Sequence, residues 1–226
     1  MEQYNAALAL LGQVSVPGGS AAIIGETGKL WGIMSGEPPG HYLPAVFSPK
    51  ENANINWFEN QLSFISRAAH VFNHRGLCYL LHMDFEQAAY LASSPEHLRQ
   101  LALAPFVTLM VNESFPNLAD AQHNPLLSAL MADVNLGLSD AGAGIIPFSV
   151  VCSGMFAVTV LAPAFFHQYV MSPMLPVVAE KITDCGSTLV LNGVDTPQLW
   201  QLGQTVPEAK MMGKCFDCST PAGKSH

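Results

Sequence analysis

What constrains this chain most is an alternation. From residue 77 onward, short apolar runs are separated by segments that open on helix-start signals. Residues 77–83 (LCYLLHM) read as a strand, with Asp84 as the cap of a following helix and Ser94-Pro95 starting another. A second run, 106–111 (FVTLMV), ends in Asn112-Glu113-Ser114; Asn124-Pro125 then opens a helix that Gly137 ends. Residues 145–161 supply one or two strands, Ser172-Pro173 opens a helix, 187–191 is a strand, and Thr196-Pro197 starts a short helix closed by Gly203. Proline in the first helical turn loses no hydrogen bond, which is why these dipeptides mark starts. Strands separated by helical patterns predict an α/β fold: an open, largely parallel or mixed sheet with helices on both faces.

The chain before residue 77 is less regular. Residues 2–12 carry Tyr4, Leu8 and Leu11 at helical spacing, and Pro17-Gly18-Gly19 ends that helix. Prolines at 38, 39 and 49 exclude regular structure from a surface excursion. Asn56 with Glu59 three residues on forms a capping-box pattern at the start of a long helix. Its apolar stripe is Phe58, Leu62, Ile65, Ala69 and Phe72, its polar face carries Ser63, Arg67, His70 and His74, and Gly76 stops it. One α/β domain over residues 1–206 is expected, followed by a tail, 207–226.

Charge narrows the function classes. Only 12% of the 226 residues are charged and the net charge is −8. The charged fraction is about half the usual one, so much of the surface must be neutral or apolar. With no basic cluster, nucleic acid is not an expected partner; a protein partner or a second copy is. No Asp, Glu, Lys or Arg occurs over 141–179, and 144–166 is long enough to cross a bilayer. Pro147, Ser149, Ser153 and Gly154 interrupt that run and no basic residue flanks it closely. Buried strands around 150–156 and a cytoplasmic location are the expectation, with membrane association through 144–166 or through a partner as the alternative. Five cysteines, an odd number without a leader-like segment, fit a reducing compartment.

Three spots could bind something. Gly25-Glu26-Thr27-Gly28-Lys29 has the order of a phosphate loop, in which backbone amides cradle an anion beside a lysine. It is two residues short and Leu30 replaces the hydroxyl that would hold Mg²⁺, so a nucleotide bound without Mg²⁺ is the cofactor it could take. The same residues suit a hairpin tip. His70 and His74, four apart on one helix face, could share a zinc ion if His82 or Asp84 supplied a third ligand. Cys215 and Cys218 have zinc or redox spacing, with Cys185 and His226 as conceivable completions.

The order of parts resembles a RecA-like P-loop ATPase, and the last third is similar to the motor domain of type IV coupling proteins of conjugation and secretion systems. Asp184-Cys185-Gly186-Ser187-Thr188-Leu189-Val190-Leu191, then Asp195-Thr196-Pro197 and Gly203, carry that resemblance over about twenty residues. In that register residues 107–111 take the Walker B place, with Asn112-Glu113 where the family has Asp-Glu. Leu30 and Asn112 would each remove part of a metal site. A rival resemblance, through 20–25 and Lys29-Leu30-Trp31, is to the first hairpin of profilin-like α+β folds. Both imply a non-catalytic subunit that binds protein partners, placed by the first in a secretion or conjugative-transfer apparatus. The alternative is a nucleotide-binding protein or enzyme using Gly25 to Lys29.

Overall fold

A computed structural model describes residues 17, 19–36 and 53–216. Eight strands close into a barrel in chain order: β1 (Ala21–Ile24), β2 (Leu30–Met34), β3 (Cys78–His82), β4 (Val107–Asn112), β5 (Asn135–Ala141), β6 (Phe156–Leu161), β7 (Thr188–Asn192) and β8 (Lys210–Met212). Strands β2 to β8 run parallel; β1 alone is reversed, pairing antiparallel with both β2 and β8. Helices fill the connections: α1 (Ala53–Arg75), α2 (Phe85–Ala92), α3 (Pro95–Ala102), α4 (Pro125–Met131), α5 (Phe148–Val151), α6 (Pro163–Tyr169), α7 (Met174–Asp184) and α8 (Pro197–Gly203).

The expected open sheet is therefore corrected to a closed one, and two missed strands explain the difference. Residues 135–141, taken as a helix end because of Gly137, form β5. Gly137 is there because a Cβ would lie 2.4 Å from Met110 Sδ and 2.9 Å from Thr108 Cγ2, inside the barrel. Residues 210–212, set apart in a tail starting at 207, form β8, which bridges β7 and β1. The boundary at 206 thus cuts the barrel. Closure removes the free edges that an open sheet leaves.

Local sequence explains most helices. Asp84 caps α2 by accepting from the Gln87 N–H at 2.8 Å, while the Gln87 side chain accepts from the Asp84 N–H at 2.9 Å. Asn124 caps α4 through the N–H groups of Leu126 and Leu127, and Thr196 caps α8 through that of Leu199. The capping box expected at Asn56 is not used as a start, since α1 already begins at Ala53. The helix expected over residues 2–12 and the excursion over 37–52 lie outside the described residues.

Two apolar layers result. Between helices and strands lies the main core, which includes Phe58, Phe64 and Phe72 of α1 against Tyr79 and Phe106. The Tyr79 hydroxyl, buried in this layer, donates to Gln61 Oε1 at 2.6 Å. Inside the barrel, Ile23, Met34, Leu80, Met110, Val158, Val160, Val190 and Met212 form a separate cluster, as the period of two along a strand requires. The uncharged 144–166 segment is divided among a loop, α5, β6 and the start of α6. No helix among the described residues is long and apolar enough to cross a membrane.

Candidate functional site

Because β2 to β8 are parallel, all seven end at one rim, where polar residues can stand over the apolar lumen. Continuing the inward alternation past the lumen cluster, the strand ends present Met34, His82, Asn112, Ser139, Asn192 and Met212 at this mouth. His82 is fixed to β2: its backbone N–H donates to Ser35 Oγ at 3.0 Å, and its Nδ1 lies 3.1 Å from the Ser35 carbonyl. The same Nδ1 lies 3.3 Å from the Ser35 hydroxyl. Asn112 Oδ1 accepts from the Ser114 N–H and hydroxyl, at 3.1 and 2.7 Å, which turns the chain sharply after β4.

An open pocket of about 180 Å³ lies between the ends of β3 and β4. His82, Asp84, Asn112 and Ser114 supply its polar wall, and Phe85 and Phe115, with ring centroids 6.0 Å apart, much of the apolar one. Three carboxylates near the mouth are engaged with backbone. Asp84 caps α2; Asp195 accepts from the Lys214 N–H at 2.9 Å. Glu113, only 3% exposed, accepts from Gly142 N–H at 2.7 Å through one oxygen and from Ile145 N–H at 2.8 Å through the other. It holds the loop that follows β5. Among the described residues no group of three His, Cys, Asp or Glu comes together to hold a metal ion. This mouth can recognise a surface through hydrogen bonds and aromatic contact.

The spots singled out by spacing lie elsewhere. Gly25 to Lys29 form the tip of the β1–β2 hairpin at the opposite rim, with Gly25 N–H donating to the Lys29 carbonyl and Gly28 N–H to the Gly25 carbonyl, both at 2.9 Å. Two of the amides an anion would need are thus used within the turn, and Thr27 and Lys29 are exposed. His70 and His74 are exposed on α1 with near-parallel rings 6.0 Å apart. His82 and Asp84 stand at the mouth, whereas this pair is near the other end of α1. Cys215 follows β8 in a short 3-10 turn, Lys214–Phe216, where its N–H donates to the Val194 carbonyl; Cys218 lies outside the described residues. Among the described residues, neither the histidine pair nor Cys215 belongs to a group of three His, Cys, Asp or Glu that could hold a metal ion. The mouth residues, by contrast, had a signal of their own: His82, Asn112, Ser139-Asp140 and Asn192 each close an apolar run with a polar residue.

No known family profile matches the chain. A curated relative, the putative anti-FlhC(2)FlhD(4) factor YdiV of Escherichia coli (strain K12), is 26% identical over 161 residues, covering 70% of this chain and 67% of the relative. Its Salmonella typhimurium (strain LT2) counterpart is 24% identical over 147 residues, covering 63% and 62%. The chain thus spans about two thirds of the relatives' length or slightly less. Among solved structures, the EAL-like domain protein YdiV superposes with a TM-score of 0.75 at 21% identity, over 87% of this chain and 89% of that one. The PaMucR phosphodiesterase in complex with c-di-GMP gives 0.67 at 18%, over 90% and 96%. At these identities the likeness establishes the fold, an EAL-like α/β barrel. It overturns the resemblances to P-loop ATPases of type IV coupling proteins and to profilins, and with them the secretion and conjugation setting: a closed eight-stranded barrel has neither of those topologies, and the short matches rested on strand–turn–helix units common to many α/β folds.

Proposed function

We propose that this chain is a non-catalytic barrel that works by binding a protein, as a regulator of the kind the YdiV factors are named for, with the FlhD–FlhC assembly as its first candidate partner. The observation that carries the reading is the mouth: the lumen-facing strand ends are methionine, histidine, asparagine and serine, and the nearby acids Asp84, Glu113 and Asp195 are engaged with backbone groups. A site of this composition offers contact surface rather than a charged reaction centre. The similarity to YdiV, the scant charge and the absence of a basic cluster support the same reading. It places the chain in the cytoplasm with its partner and uses no nucleic acid contact.

Titration calorimetry of the full chain against purified FlhD–FlhC assembly tests it. Saturable binding with defined stoichiometry is expected, together with unchanged nucleotide after incubation with c-di-GMP and a divalent cation. Turnover of the nucleotide, or no heat of binding at micromolar concentrations, overturns the proposal.

A further inference from the structure

The turn between α5 and β6 runs alongside the C-terminal end of α7, at the rim opposite the mouth. Cys152, at the end of α5, directs its thiol to the Lys181 carbonyl at 3.8 Å. Gly154, at φ 76°, comes close enough that a Cβ there would lie 3.9 Å from the Cys185 carbonyl. Cys185 caps α7 one helical turn after Lys181. Cys185 lies close enough to Cys152 to shift the ionisation of its thiol. Both residues are half-buried, and both thiols are free. Cysteines 33 positions apart in sequence are thus neighbours through the fold, a relation that no spacing motif reveals.

We propose that Cys152 and Cys185 form a two-electron redox pair whose oxidant is a peroxide, closing to a disulfide that ties the α5–β6 turn to the end of α7. Burial, then the contact with Cys185, push the Cys152 thiol up to about 11, so its proton is held near neutrality. In the proposed order Cys185 attacks first. The Cys185 sulfur attacks one peroxide oxygen; the O–O bond breaks, the Cys185 proton is lost, and sulfenic acid and water form. The Cys152 sulfur then attacks the Cys185 sulfur, its proton leaves with the departing hydroxyl as a second water, and the S–S bond closes. Two thiols are oxidised and one peroxide reduced to two waters. The disulfide would close a loop containing β6, α6 and α7, restricting the unfolded chain more than the folded one.

Peptide mapping of the full chain, reduced and then exposed to hydrogen peroxide before thiol blocking, tests the pair. The expected product is a crosslinked 152–185 peptide, two hydrogens lighter than the reduced pair, with a rise of several degrees in melting temperature that dithiothreitol reverses. In Cys152→Ser, or Cys152→Ala if the serine variant fails to fold, Cys185 should accumulate as sulfenic acid trapped by dimedone. Peroxide that leaves Cys152 and Cys185 open to alkylation while Cys78 or Cys215 reacts would overturn the assignment. So would a crosslink joining Cys152 to any other cysteine.

Discussion

Single atoms decide whether the rim of this barrel holds together. Gly213 follows β8 at φ 150°, and a Cβ there would lie 2.5 Å from the Val194 nitrogen and 2.7 Å from its carbonyl carbon. These are backbone atoms that cannot rotate away. Gly213→Ala is therefore expected to cost about 3 kcal/mol, combining overpacking with a φ that L-residues avoid, as read from denaturant midpoints. Glu113 makes a complementary case. In Glu113→Gln one acceptor becomes an amide donor facing a backbone N–H, so about 1–3 kcal/mol should be lost. Hydrogen exchange should speed up at Gly142 and Ile145 but not in β3. Equal acceleration in both places would mean that Glu113 acts on the whole fold rather than on its loop.

At the scale of elements, β8 is short and yet closes the barrel. Truncation after Val206 removes it and leaves β1 and β7 with unpaired edges, so the shortened chain should lose its cooperative thermal transition; a near-normal transition would contradict the role of residues 210–212. Val158 on β6 tests the lumen in the same way. Val158→Asp would bury an unpaired charge among Leu80, Met110 and Val190, a penalty comparable to a domain's whole stability of about 5–15 kcal/mol, whereas Val158→Ala should cost only about 2 kcal/mol. Expression of the two variants in parallel, followed by circular dichroism, separates them.

How far the elements were legible depends on how each one announces itself. Strands β3, β4 and β7 are uninterrupted apolar runs, and Asp84, Asn124 and Thr196 are caps whose chemistry is local, so sequence located them. Strand β5 carries Gly137 for a reason that lies on another strand, Met110, and β8 is three residues long beside glycine and charge. Neither reason is visible within a local window. The candidate site was harder still: the mouth exists only once the sheet closes, whereas Gly25 to Lys29, the histidine pair and the Cys-x-x-Cys spacing are features of linear sequence. Closure also separated alternatives that composition had left open, since an open sheet and a barrel share the same alternation of strand and helix.

Across the whole molecule, scarce charge shapes the surface as well as the interior. Five of the seven large hydrophobics that are exposed among the described residues, Ile145, Phe148, Met171, Met174 and Val177, come from the uncharged stretch 141–179. If the proposed partner covers these residues, its affinity should change less than about threefold between low salt and roughly 0.5 M, because few screened charges take part. A steep salt dependence in the calorimetric titration would place binding on a charged surface instead.

The reversal of β1 has a consequence for how the barrel can be joined to anything upstream. Ala21 pairs with Met34, and a Cβ on Gly19 would lie 3.5 Å from the Gly36 Cα. The polypeptide therefore arrives at the same rim where His82 and Asn112 stand, and only then descends to the hairpin at the far side. In a barrel whose first strand ran with the others, an upstream segment would be delivered to the closed end. Here a fluorophore attached at residue 19 would sit beside the mouth and sense an arriving partner by proximity alone.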